Sequence, residues 1–313
     1  MPKWRLGFAA LALMGGAVTA TFAANAEQTP PYPDIADTSH ATPAVAQRFR
    51  NFFTAKSLHQ PDALMDFFAH ENVLYIDASS GNVWPSWDSL NAIFTTYMPK
   101  WPASGLSYPT RILGDEHSAL VAFTDTPELF GKELRILGAV DFDDHGKIIR
   151  WMDYWDGRSS QRVTAPLKRT YPTDFHDDVG NATGRIHDTA AALSTAFAAG
   201  DAKSAAALFA YDAVYEDMAL HAQLLGRLAI ERYLARALAS VPYGQGATLA
   251  HVVGNDQGGG YEFRPAAGFP MKRGNVALEL DKDGKIARLT VVYDSGLLPD
   301  DQYRALAALA AEN

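Results

Sequence analysis

The sequence predicts an α+β fold stated twice in tandem, on three observations. One pattern recurs: Asp141 to Asp156 and Glu279 to Asp294 each run from a polar turn ending in Gly146 or Gly284, through Lys-Ile-x-Arg, to a β-rich run closing on Asp. The copies are offset by 138 residues throughout, and one repeat of that length means a duplicated domain rather than a solenoid. Upstream of each copy, apolar residues recur first at helical and then at strand spacing. The 313 residues, 48% hydrophobic and 20% charged, suffice for about two ordinary globular domains.

Residues 1–26 read as an export signal: Lys3 and Arg5 start it, Leu6 to Phe22 is apolar apart from Gly and Thr, and Ala24-Asn25-Ala26 is a small-x-small site with cleavage expected before Glu27. Gly15 and Gly16 interrupt the apolar run, which is short for a membrane span. A soluble periplasmic or secreted protein, with no membrane partner after signal removal, is therefore expected. Residues 27–41, with Pro30, Pro31 and Pro33, form an extended leader.

The first domain is placed at 42–157. Thr42 and Pro43 open a helix as N-cap and first-turn proline, with Val45, Phe49, Phe52 and Phe53 at helical spacing. Pro61 starts a second short helix. Asn72 to Asp77 is a strand with Val73, Tyr75 and Asp77 on one face, and Trp87 to Met98 a third helix. Strands follow at Tyr108–Leu113, Ser118–Thr124, Lys132–Phe142 and Lys147–Asp156, the last two joined by a hairpin whose Gly146 suits the positive φ of a short loop.

Residues 158–185, rich in Arg, Thr, Pro, Asp and Gly, are read as a linker of limited order, with Phe175 to Asp178 solvated. The second domain, 186–295, repeats the order: helices Asp188–Phe197 and Ala202–Phe209, strand Ala213–Asp217, helix Gly226–Ser240, and strands Ala247–Val253, Tyr261–Arg264, Asn275–Leu280 and Ile286–Asp294. Gly258 to Gly260 is read as a hairpin loop, since no helix follows to make it a phosphate cradle. Residues 296–313 are a tail with an alanine-rich closing helix.

The formal charge is −9, and removal of Lys3 and Arg5 leaves 25 basic against 36 acidic residues, or −11. A nucleic-acid partner is thereby excluded, because the phosphate term would be repulsive. With no cysteine there is no disulfide, thiolate nucleophile or thiolate-bound metal. His117, His145, His221 and His251 fall in different strands or loops without HxH or HExxH spacing, so no metal site is expected. No GxSxG elbow occurs.

Ala199-Gly200-Asp201, Phe209 to Asp217, Gly226-Arg227-Leu228-Ala229-Ile230 and Asp283-Gly284-Lys285-Ile286, echoed more loosely by Phe68 to Val73 and Asp77, resemble the NTF2-like superfamily in its SnoaL-like and ketosteroid-isomerase-like branch. The resemblance implies tandem cone-shaped α+β barrels, each of three helices wrapped by a strongly curved, mainly antiparallel sheet around an apolar pocket. It also implies an internal pseudo-dimer, because oligomeric members bury one sheet face between subunits. It puts a carboxylate base at the end of the first strand, where Asp217 stands, with Asp77 as counterpart. The isomerases' enolate donors, a Tyr on the first helix and a protonated Asp on a late strand, align with Phe49 and Leu193, and with Gly138 and Val276. Neither donor is kept, so an enzyme here must use other groups.

Those groups concentrate in the first domain. It holds every tryptophan after Trp4, and alternation sends Trp151, Asp153 and Trp155 to one face of its last strand. The candidate catalytic residues are Asp77, Asp153, Tyr75 and Asp217, and the candidate substrate-binding residues Trp87, Trp101, Tyr108, Arg135, Trp151, Trp155 and His251. The function expected is an exported, cofactor-free acid/base enzyme of lyase, isomerase, cyclase or dehydratase type. Its substrate would be a small hydrophobic molecule such as an aromatic or polyketide-like one. The rival reading is a non-catalytic protein that binds the same class of molecule. Of the two domains, the first is expected to hold the ligand.

Overall fold

The computed structural model describes residues 29–158, 171–172 and 174–311. The expected export signal and residues 159–170 of the expected linker lie outside them.

The leader does not stay unpaired: Asp37–Ala41 is strand β1. Thr42 then caps α1 (Pro43–Ser57), its Oγ1 accepting from the Val45 N–H at 3.4 Å, with Pro43 in the first turn. After α2 (Pro61–Met65) come β2 (Leu74–Asp77), β3 (Asn82–Trp84) and α3 (Trp87–Tyr97). β4 (Ser107–Gly114), β5 (Ser118–Asp125), the one-turn α4 (Pro127–Phe130), β6 (Leu134–Phe142) and β7 (Ile148–Trp155) complete the unit. The second unit runs α5 (Arg185–Ala199), α6 (Ala202–Ala206), β8 (Phe209–Asp217), β9 (Ala222–Leu225), α7 (Arg227–Ala237), β10 (Thr248–Gly254), β11 (Gly258–Arg264), β12 (Gly274–Leu280), β13 (Ile286–Tyr293) and α8 (Asp300–Leu309). Strands β3 and β9 and helix α4 were not anticipated. The helix expected over Ala202–Phe209 stops at Ala206, and Phe209 begins β8.

The sheets are ordered β1-β4-β5-β6-β7-β2-β3 and β10-β11-β12-β13-β8-β9, so they differ only by the added β1. In each, the last long strand pairs in parallel with the first, β7 with β2 and β13 with β8. Gly146 and Gly284 take φ of 73° and 76° in matching hairpins.

Helices α1 to α3 cover one face of the first sheet, burying Phe49, Phe52, Phe53, Phe68 and Leu90 around Trp151. Its other face, with Leu120, Leu137, Met152 and Tyr154, meets Val253, Ala277 and Val292 of the second sheet. Here Gly258 to Gly260 proves to be strand rather than loop. A Cβ on Gly260 would lie 2.4 Å from Leu120 Cδ1 and 2.3 Å from the Val276 carbonyl oxygen, so glycine lets the two sheets approach. The unit ends brace each other reciprocally: the Gly157 N–H donates to Asp294 at 3.0 Å, and the Ser295 N–H to Asp156 at 2.9 Å.

Polar groups also cross this interface. Arg150 is fully buried and bonds Glu262 at 2.6 Å, which Arg273 meets at 2.9 Å and the Tyr154 hydroxyl at 2.5 Å. The two guanidinium groups hold the Glu262 carboxyl below the usual carboxylate range, although burial alone would raise it. Phe175 to Asp178 is not the solvated stretch expected: Phe175 is buried against the Arg273 guanidinium at 4.2 Å, and Asp177 bonds Arg150, Arg264 and Arg273. Alternating charges at long range are invisible to local composition, which is why the segment read as linker.

Candidate active site

The first unit encloses a cavity of about 590 Å³ between its sheet and α3. The chain builds it from apolar residues of the helix facing aromatic and acidic residues of the strands. Leu90, Ile93, Phe94 and Tyr97 of α3 form one wall, while Tyr75, Asp77, Trp84, Ile136, Asp153 and Trp155 come from the sheet and Trp101 from the loop after α3. Val121 pairs across the strands with Gly138, and a Cβ on Gly138 would come within 3.2 Å of Trp151 Nε1 and 3.3 Å of Asp153 Oδ1. Glycine there leaves room for those two groups to meet.

Parallel pairing of β2 with β7 sets Tyr75 beside Trp151 and Asp77 beside Asp153. Asp77 Oδ1 accepts from the Ser80 N–H at 2.9 Å, the Ser79 N–H at 3.1 Å and Trp155 Nε1 at 2.9 Å. These three bonds fall on Oδ1, and the Ser80 side chain also bonds the carboxyl. Burial still raises the Asp77 pKa above the ordinary carboxylate value despite these donors. Asp153 is tied at both oxygens, by Trp151 Nε1 at 2.5 Å and by the Tyr75 hydroxyl. Burial pushes its pKa up to about 7, against the pull of those donors and of Lys56. Two carboxyls on one wall, one held mainly through a single oxygen and one poised to hold a proton near neutrality, can give and take protons.

The expected site residues part company here. Tyr75, Asp77, Asp153, Trp101 and Trp155 meet on the cavity wall. Trp151 does not line it but stacks on Phe52 at 4.8 Å in the core, from where its indole N–H holds Asp153. Trp87 stacks on His70 at 4.2 Å outside the cavity. Tyr108 stacks on Tyr32 at 6.3 Å and lines a separate outer groove. Arg135 is 70% exposed and pairs with Glu133, because its odd position in β6 faces away from the helices. His251 does not reach the second unit's interior; it lies between the sheets, with Nε2 2.8 Å from Asp141.

Asp217, the fourth candidate, is 0% exposed. Its Oδ1 accepts from the Leu220 N–H at 2.9 Å and its Oδ2 from Tyr243 at 3.1 Å; the Tyr215 hydroxyl donates to Tyr243 at 2.6 Å, and that of Tyr233 lies 3.1 Å away. Burial lifts the Asp217 pKa to about 7, but its carboxyl is walled in by tyrosines.

Sequence reasoning counted Trp84 and Tyr97 among the first domain's aromatic residues but not among the candidates, and it missed Phe94 and a buried ion pair, Lys56 with Asp125 at 3.1 Å. Lys56 falls three and four residues after Phe53 and Phe52, on the apolar stripe of α1, and that misplaced charge was the available signal. Among the described residues no cluster of three His, Asp or Glu could hold a metal ion.

No protein-family model and no curated protein matches this sequence. Solved structures do. A steroid delta-isomerase from Pseudomonas aeruginosa is 19% identical, with 40% of this chain and 88% of that one covered at a TM-score of 0.33. An NTF-2 like protein of unknown function from Burkholderia xenovorans is 20% identical over 38% and 91% at 0.29, and a SnoaL-like protein of unknown function from Burkholderia thailandensis is 12% identical over 34% and 93% at 0.31. The chain is thus similar to NTF2-like proteins. At such identities and scores no activity or residue role passes from them to it.

Proposed function

We propose that the first unit is a cofactor-independent acid/base enzyme of lyase, isomerase, cyclase or dehydratase type, acting on a small hydrophobic molecule within a cone-shaped barrel. The observation that carries this reading is Asp77: Oδ1 is fixed by three donors, Oδ2 engages none of them, and the carboxyl stands in an aromatic wall that raises its proton affinity. Asp77 takes a proton from the substrate, and the Tyr75–Asp153 pair, in its protonated form, returns one to the atom that gathers the electron pair. Two such groups titrate as a pair, so turnover follows a bell whose alkaline limb reflects Asp153, near pH 7. The second unit serves as the structural half of an internal pseudo-dimer, and export to the periplasm is part of the same proposal.

The test is to extract the ligand that co-purifies with the native protein, identify it by mass spectrometry, and assay its conversion. Asp77→Asn is expected to lose on the order of 10²–10⁴ in rate with little loss of binding, and Asp217→Asn far less. A ligand that emerges unaltered and that the native protein never converts supports the rival reading, a non-catalytic binding protein. Loss of turnover in Asp217→Asn alone sinks the assignment to the first unit.

A further inference from the structure

Acid and base roles leave one buried group of the cavity unused. Lys56, in the last turn of α1, reaches the cavity wall with a side chain 9% exposed. Its Nζ bonds Asp125 Oδ1 at 3.1 Å and Oδ2 at 3.4 Å, and the Phe123 ring centre lies 4.8 Å away. An ammonium carries three N–H donors. A ring face attracts the charge but offers no lone pair. Asp125 is therefore the sole conventional acceptor of Lys56 among the described residues, and an ammonium hydrogen left without an acceptor in an aromatic wall is costly. A ligand oxygen that reaches it relieves that cost.

The surrounding charges decide which kind of oxygen. Asp125 already balances Lys56, Asp77 and Asp153 line the same cavity, and the one other cation in the lining is Lys132. A carboxylate ligand would add a charge beside Asp77 and Asp125 in an aromatic-lined space, and would meet Asp153 as well whenever that group is ionised, whereas a neutral oxygen accepts from Lys56 without that repulsion. Resting on the reading of this cavity as the ligand site, we propose that Lys56 and Asp125 form a subsite for an uncharged carbonyl or hydroxyl oxygen on an otherwise apolar ring molecule. It positions such ligands and rejects their anionic analogues.

Three probes of similar size test this through quenching of tryptophan fluorescence, since Trp84, Trp101 and Trp155 line the cavity: 1-tetralone, tetralin, which lacks the oxygen, and 1-naphthoate, which is charged. The native protein is expected to bind tetralone about 10-fold more tightly than tetralin, the size of one hydrogen bond from a charged donor, and naphthoate least. Lys56→Met alone would strand Asp125, so the diagnostic variant is Lys56→Met with Asp125→Leu, which removes both charges. In it the tetralone preference should fall to about twofold or less, with tetralin binding kept. Persistence of the preference in that variant, equal binding of tetralone and tetralin to the native protein, or tightest binding of naphthoate each overturns the subsite while leaving the cavity reading intact. Failure of all three probes to bind overturns both.

Discussion

In the first unit Asp77 looks onto about 590 Å³ of space; in the second Asp217, at the matching register against the last strand, looks onto tyrosine hydroxyls. The difference traces to a few side chains on a shared frame. The third helix has 11 residues in both units, and its seventh is Ile93 in one and Tyr233 in the other. Across the strands, the pair Val121 and Gly138 is answered by Tyr261 and Val276. Beside the first-strand carboxyl, Asp153 is answered by Val291. Small strand residues leave a cavity with a second carboxyl in it; large ones close over a single buried carboxyl. The same fold thus holds a cavity in one copy and a packed core in the other, a difference that lies in side chains rather than in architecture.

The strongest way to break this comparison is to empty the second interior. Tyr243→Ala removes a buried ring that contacts Phe197, Phe263 and Tyr293 and carries the Asp217 bond, and should cost about 3–5 kcal/mol in urea unfolding. Phe94→Ala, whose ring borders space that is already empty, should cost less than half as much. Equal losses would mean that the two interiors are packed alike.

A smaller effect, about 3 kcal/mol between pH 5 and pH 8, is expected from Asp217. Its folded pKa of about 7 stands above the ordinary 3.8, so the folded protein binds this proton more tightly than the unfolded chain. Its contribution is full below about pH 4 and is lost as pH rises to about 7. Asp217→Asn should flatten that part of the stability profile. Asp153 adds a loss in the same window, which Asp217→Asn leaves in place. If the variant's profile parallels the native one, Asp217 is not the buried proton-holder described.

The smallest effect sharpens the first unit's side. Tyr75→Phe removes a donor that favours the charged form of Asp153, so the Asp153 pKa should rise and the alkaline limb of turnover move up by about one pH unit or less, with about 1 kcal/mol of stability at stake. A limb that moves down would mean that Tyr75 acts on another group.

What the sequence determined by itself is local. Hairpin glycines, the cap at Thr42, the helix and strand periodicities and the doubled strand order depend on neighbours a few residues apart, and a period of 138 residues makes the second copy legible from the first. The residues that share the cavity wall by strand alternation, Tyr75 with Asp77 and Asp153 with Trp155, were open to the same reasoning. Tertiary structure alone decided the rest. Lys56 meets Asp125 across 69 positions, His251 meets Asp141 across 110, and Arg150 meets Glu262 across 112, pairs that no local pattern announces. Gly258 to Gly260 looked like a loop because glycine's usual local meaning is a turn, whereas here its missing side chain is what lets Leu120 of the other sheet come close. Alternation tells which side of a strand a residue takes, but whether that side meets a cavity, a second sheet or water depends on what packs against it, as Asp217 and Arg135 show.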